Sequence, residues 1–415
     1  MRIGFVATRL AGVDGVSLET SKWVTVLRRM GHEIFYCAGE LDPYGPPGML
    51  VSEMHFKHPV IREVQQLAFG GTDLRPELSQ EIQRKGHGLK LRVQAFIEDF
   101  NLDVLVVQNA LTIPMNIPLG VGLYEAINET GIPTIIHHHD FYWERERFLV
   151  HRIPSILRLA FPPDLPSVQH VVISTVMQRE LQVRRNIDAV YIPNVFDFES
   201  QPPPPDDYSN NFYEDMGFGP DDRVVLQPTR LIARKSIDRA IELVQMLGNH
   251  RRYQFVITGE PGDEPGPYFE WLFDKAVRAG IDVHFIGDRI TAHRTTRDGE
   301  RTYTLWDVYP QADLVTYLSH YEGFGNALVE TLYYRRPLVA NRYPQYRADI
   351  AAVGVQAIEI DEFVTPATAL EVLELLDDPQ RVERMTEHNF QVGQEHFSYA
   401  VLERKLTMLL DRFDI

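Results

Sequence analysis

The sequence predicts an α/β protein of two domains, each a parallel sheet covered by helices, and three observations carry that reading. Short β-branched runs alternate with segments of helical period along most of the chain, the pattern of sheets buried on both faces. This alternation stops at a proline-rich stretch and then restarts. A chain of 415 residues should also bury roughly three quarters of the surface it exposes when unfolded, enough for two cores.

The first series of expected strands covers residues 3–7, 34–38, 104–107, 134–137 and 171–174. Between the first two, Trp23, Val26, Leu27 and Met30 recur at helical spacing, and Gly31 follows as a C-cap. A second series covers 224–226, 255–257, 283–286, 314–318 and 338–340. Its first helix carries Ile237, Ala240, Ile241, Val244 and Leu247 on one face, with Ser236 placed to cap it. Between the series stand Pro193-Asn194 and the run Gln201 to Asp207 with four consecutive prolines, which no strand or helix interior tolerates. The expected organisation is a first domain over 1–193, a linker over 194–210, a second domain over 211–396 and a terminal segment over 397–415. That segment has Val401, Leu402, Leu406, Leu409 and Leu410 at helical spacing. Residues 40–90, rich in Pro, Gly and His, show no sustained period and read as an elaborated loop or lid.

Charge narrows the function. Forty-one Lys and Arg against 58 Asp and Glu give a net charge of −17, which argues against a nucleic-acid partner. The single cysteine, Cys37, rules out an intrachain disulfide and fits a reducing compartment. Residues 2–7 are too short for a signal peptide, and the most apolar stretch, 110–127, is interrupted by Pro114, Asn116, Pro118 and Glu125, so no strong membrane signal emerges and a cytoplasmic protein is expected.

The chemistry concentrates where strands end. After 314–318 comes Ser319-His320-Tyr321-Glu322-Gly323-Phe324-Gly325-Asn326-Ala327-Leu328-Val329-Glu330, a glycine-rich turn into a helix whose free N–H groups suit an anion. Glu322 lies in the loop and Glu330 about one turn into the helix, so the two carboxylates can meet opposite ends of a ligand with a phosphate between them. Arg230 and Lys235 fall at the carboxyl edge of the second sheet, where ligands of open α/β sheets bind. In the first domain, His137-His138-His139-Asp140 ends a strand at the same kind of edge. Side chains alternate along a strand, so the three histidines do not converge on one metal ion. No Asp-x-Asp run offers to hold Mg²⁺ on a diphosphate, and no metal is expected.

Together these segments resemble the retaining glycosyltransferases of family four, whose GT-B fold sets two Rossmann-like domains face to face across a cleft. The most specific element is the pair Glu322 and Glu330 with seven residues between them, supported by Arg230 with Lys235, Gln311-Ala312-Asp313, Phe285-Ile286-Gly287 and Ile192-Pro193-Asn194 with Asp197. Thr229, Ser236 and Val195 stand where such sequences usually carry Gly. The resemblance implies a hexosyl transfer from a nucleotide diphosphate sugar, UDP-glucose or GDP-mannose, to the hydroxyl of a small soluble acceptor or saccharide, with no cofactor required. It further implies that Arg230 and Lys235 hold the diphosphate with amides from Gly323, Phe324, Gly325, Asn326 and Ala327, that Glu322 contacts the hexose, and that Glu330 binds the ribose. His139, or failing it His138, would contact the sugar; backbone at Arg289 and Ile290 would meet the base; Gly12 and Gly15 would border the phosphates. The terminal helix would cross back to the first domain. Tyr142, Trp143 and Arg145 are candidates for the acceptor. A nucleotide-sugar epimerase of similar fold and a non-catalytic sugar-binding relative are the alternatives.

Overall fold

Seven short runs in the first half lie side by side. They are β1 (Arg2–Val6), β2 (Glu33–Ala38), β3 (Gly48–Leu50), β4 (Val104–Gln108), β5 (Thr134–His138), β6 (Val168–Val172) and β7 (Ala189–Tyr191), in the order β3-β2-β1-β4-β5-β6-β7 with every pairing parallel. The computed structural model describes residues 1–12, 14–248, 252–259, 267–291 and 293–413. Strands β4 and β5 are buried at every residue, as expected of a parallel sheet with both faces covered.

The second sheet, also all parallel, runs β10-β9-β8-β13-β14-β15 with β8 (Arg223–Gln227), β9 (Tyr253–Ile257), β10 (Asp282–Phe285), β13 (Leu314–Tyr317), β14 (Leu338–Asn341) and β15 (Ile358–Ile360). A separate antiparallel hairpin joins β11 (Thr295–Arg297) to β12 (Glu300–Thr302). The chain divides into one unit of Met1–Pro193 with Tyr399–Ile415, whose last two residues lie outside the described set, and another of Asn194–Ser398. In the first unit, helix α1 (Gly15–Arg29) ends with Arg29, whose guanidinium lies 5.1 Å from the ring of Tyr399 at the start of the helix Tyr399–Asp411. That terminal helix is held further by Lys405 donating to the Tyr191 carbonyl at 2.7 Å and by Gln169 donating to Leu409 at 3.0 Å.

Three sequence expectations are corrected. Residues 40–90 are not mainly loop: they hold β3, helix α2 (Pro59–Ala68) and the first half of the long helix α3 (Pro76–Asp99). The buried residues Leu78, Ile82, Leu89, Val93 and Phe96 do keep helical spacing, but Gly86-His87-Gly88 interrupts the pattern in the sequence. Gly86 serves a close crossing with helix α4 (Ile117–Thr130): a Cβ on Gly122 of α4 would sit 2.6 Å from the Gly86 carbonyl oxygen and 2.8 Å from the Lys90 nitrogen. Strand β6 ends before 173–174, because Ser174 leaves the sheet to cap the helix Thr175–Arg185, accepting from the Met177 amide. Ser236 does precede helix α5 (Ile237–Leu247), but it is left-handed at φ 50° and its hydroxyl caps nothing.

The helix crossing generates a test. Gly122→Ala should lower the stability of the first unit by about 1–3 kcal/mol through overpacking against α3. Gly88→Ala, where an added Cβ meets nothing within 4 Å, should be neutral or stabilising by about 0.5–1 kcal/mol. Urea unfolding of the two variants checks the contrast.

Candidate active site

In the second unit the site grows from two neighbouring strand ends. Past β8, the buried Gln227 amide donates to the Thr229 hydroxyl at 2.8 Å and accepts from Thr316 of β13 at 2.6 Å, so the turn uses the side chain that stands where Gly is usual. Ala233–Lys235 then make a single 3₁₀ turn. Ser236 at φ 50° is the left-handed exit from it, a backbone state Gly reaches without strain. After β13 the loop is tied to this turn by the His320 amide, which donates to the Arg234 carbonyl at 2.9 Å.

Within that frame Glu322 receives two cations. Arg234 donates to Glu322 Oε2 at 2.8 Å and to the Tyr321 carbonyl at 3.0 Å, and the Lys235 ammonium donates to Glu322 Oε1. Glu322 is 6% and Lys235 8% exposed, so the pair is buried. Burial alone would push the Glu322 carboxyl up, but Lys235 and Arg234 together outweigh it and hold it at about 2. Burial lowers Lys235 from its ordinary value, with Glu322 opposing that shift and Arg234 and Arg230 adding to it. Arg230 itself is exposed in the turn.

Gly325, at φ 139°, begins helix α6 (Asn326–Tyr333), and a Cβ there would approach the hydroxyls of Tyr343 and Tyr317 to 3.0 and 3.1 Å. Asn326 accepts from Asn194 at 2.6 Å, which gives the Pro193-Asn194 motif a place beside the helix start. Glu330, also buried, accepts from the Tyr309 hydroxyl at 2.9 Å, and the Tyr309 ring stacks on Tyr334 at 5.1 Å and 3°. Phe324 turns its ring into the core, 5.5 Å from Phe397.

In the first unit the three histidines go separate ways from the end of β5. His137 Nδ1 and His139 Nε2 both meet Gln108 Oε1 at 3.0 Å, whereas His138 joins Thr112 at 2.7 Å and His170 at 2.9 Å. His139 retains 8% exposure where His137 has 1% and His138 none. The Asn109 side chain accepts the His139 amide proton at 3.1 Å and donates to Asp140 at 2.9 Å, while Arg145 pairs with the other Asp140 oxygen. Burial holds all three rings neutral, His137 and His138 well below the usual histidine value and His139 at about 4, where Asp140 and Asp14 only partly offset it.

Comparison with known proteins decides what the constellation belongs to. The family model for glycosyl transferases group 1 matches residues 210–392. The mannosylglucosylglycerate synthase of Thermotoga maritima is 32% identical over 97% of this chain and 98% of its own, and that of Petrotoga mobilis 29% over 96% and 98%. The chain belongs to the group 1 glycosyltransferases. This group 1 glycosyltransferase also superposes on Anabaena Alr3699/HepE in complex with UDP and glucose with a TM-score of 0.70, covering 99% of each chain at 16% identity, a likeness that shows the GT-B fold. Family membership makes it an enzyme and favours the transferase reading over the epimerase and the non-catalytic relative. Among the described residues no helix is long and apolar enough to cross a membrane.

Set against the residues expected from sequence, the glycosyltransferase brings Lys235 and Glu322 into direct contact with each other. Several candidates are already engaged. The amides of Arg289 and Ile290 donate to Ile286 and Gly287, and the Arg289 carbonyl accepts from Tyr303, so little of that backbone remains for a base. Gly12 follows β1 in a loop and Gly15 opens α1, but the Val16 and Ser17 amides there go to Asp14, which also receives Arg9 at 2.8 Å. Trp143 stacks on Phe141 at 4.4 Å, with the Arg184 guanidinium 5.6 Å from its ring, and the half-buried Tyr142 packs on a buried apolar cluster. Arg234, Tyr309 and Gln108 escaped the sequence reading, because nothing local marks a residue whose partner lies far along the chain.

The buried pair predicts a pH signature. Glu322→Gln strands the Lys235 charge and should cost about 3–5 kcal/mol at neutral pH. Because the native carboxyl is depressed below its unfolded value of 4.5, its contribution is complete above that value and is lost as pH falls toward about 2. Urea titrations should therefore show the variant's deficit closing as pH falls from about 4.5.

Proposed function

We propose that this glycosyltransferase moves a mannosyl group from a nucleotide diphosphate donor onto a small, carboxylate-bearing glucoside, keeping the anomeric configuration. The sugar and the acceptor class come from the two full-length relatives, whose name describes mannose joined to glucosylglycerate. The observation that carries the reading is the buried cluster around Lys235. Arg234 and Lys235 both meet the carboxylate of Glu322 and Arg230 lies close enough to lower Lys235, a grouping of cations suited to a diphosphate.

In this reading Arg230 and Lys235 hold the diphosphate, with the amides of residues 323–327 at the start of α6 assisting. Glu322 meets the hexose and Glu330 the ribose, while His139 contacts a sugar hydroxyl. As the bond from the anomeric carbon to the β-phosphate oxygen breaks, the acceptor hydroxyl attacks from the same face and its proton passes to the departing phosphate. The enzyme's part is electrostatic: preorganised cations stabilise charge gathering on the leaving group. A second protein carboxylate, as glycosidases need, has no role. Glu322 stays ionised far below neutral pH, which keeps Lys235 and Arg234 in place before the donor arrives.

Purified protein incubated with GDP-mannose and glucosylglycerate should yield a retained α-mannoside, identified by its one-bond anomeric carbon–proton coupling. Turnover with UDP-glucose alone, or an inverted product, would defeat the assignment. Lys235→Ala should lower kcat by about 100- to 1000-fold, the cost of removing one transition-state charge partner. Glu330→Ala should act mainly on the KM for donor, and steady-state kinetics on both variants separates the two effects.

A further inference from the structure

The end of β14 carries an inference about the loop that holds Glu322, and it rests on the reading that Glu322 and Lys235 serve the donor. Asn341, the last residue of β14, and Tyr343 just beyond it are 2% and 1% exposed. Both side chains reach the neighbouring loop after β13 and grip it at two points. The Asn341 amide donates to the Ser319 carbonyl at 3.0 Å, where that loop begins, and the Tyr343 hydroxyl donates to the Phe324 carbonyl at 2.5 Å, where it ends. Glu322 lies between the two. A backbone carbonyl only accepts, and Asn341 Oδ1 takes the Glu362 amide proton at 2.9 Å, so backbone partners on both sides settle which end of the Asn341 side chain is which. Burial, with the Glu322 charge adding to it, raises the Tyr343 hydroxyl well above its ordinary value, and it keeps its proton at neutral pH.

The grip is kept against local preference. Glu362, whose amide completes it, is left-handed at φ 67°, a backbone state that disfavours any residue with a Cβ. Its carboxylate meets His320 Nδ1 at 2.6 Å, a third tie to the same loop. Gly325, next after Phe324, is closed in from the same side, since a Cβ there would stand 3.0 Å from the Tyr343 hydroxyl. A glycine-bearing loop has a wide choice of backbone states, and buried hydrogen bonds at both its ends remove most of them. We propose that Asn341 and Tyr343 are positioning residues that bracket residues 319–324, holding Glu322 where Lys235 and Arg234 both reach it and setting the amides of residues 323–327 before the donor arrives. Their effect on the reaction is indirect. It passes through Glu322 and the turn that follows it.

Two variants that keep the shape of the side chain test the bracket. Tyr343→Phe removes only the hydroxyl, and Asn341→Asp keeps the acceptor for Glu362 but loses the donor to Ser319. Each should lower kcat with GDP-mannose and glucosylglycerate about 10- to 100-fold, the scale on which a small misplacement of reacting groups slows a reaction. A second readout needs no substrate: Glu322→Gln is combined with each variant, and all are unfolded in urea. Where the bracket holds Glu322 on its cations, Glu322→Gln should shift the unfolding midpoint less in either variant than in wild type. Equal shifts in all three backgrounds overturn the proposal, even with a lowered kcat, because the two residues would then act on something other than Glu322. Either variant decides the matter by itself should the other fail to fold. Smaller shifts together with a wild-type kcat leave the bracket standing, and it is the donor role given to Glu322 and Lys235 under the proposed function that falls.

Discussion

Glu322 between Lys235 and Arg234 is the interaction on which the second unit's strand-end geometry turns. An isolated charge at this depth would be driven to its neutral form, and an unpaired ammonium likewise. Pairing removes that option for both, so two loops that follow adjacent strands, β8 and β13, are obliged to meet. The His320 amide on the Arg234 carbonyl repeats the join through the backbone. Gly325, at φ 139°, and the start of α6 follow within four residues of this fixed point.

The two units contribute opposite kinds of chemistry. At the end of β5 burial strips histidines of charge, and they are satisfied by neutral partners: Gln108, Thr112 and a third ring, His170. Past β8 and β13 burial is equally deep, yet charge survives because each charge has an opposite in contact.

Much of the fold could be read in advance because parallel sheets demand contiguous apolar runs, and the ten expected strands all fall within or beside observed ones. The failures share a cause. Gly86 and Gly88 looked like loop punctuation in α3, although Gly86 is there to let α4 approach. Ser236 looked like a cap, although its left-handed backbone puts its hydroxyl out of use. In each case a residue type with several uses was read for the commonest one, and a neighbour distant in the chain chose another.

From residues alone came the alternation of strand and helix, the break near Pro193, and the glycine-rich and charged turns at strand ends. Those follow from local rules: apolar periodicity, backbone permissiveness and the charge of each side chain. Only the tertiary structure decided which groups bind each other. Lys235 finds Glu322 across 87 residues, and His139 finds Gln108 across 31, because β8 lies beside β13 and β4 beside β5. Strand order is a property of the packed sheet as a whole, and no short stretch of sequence contains it.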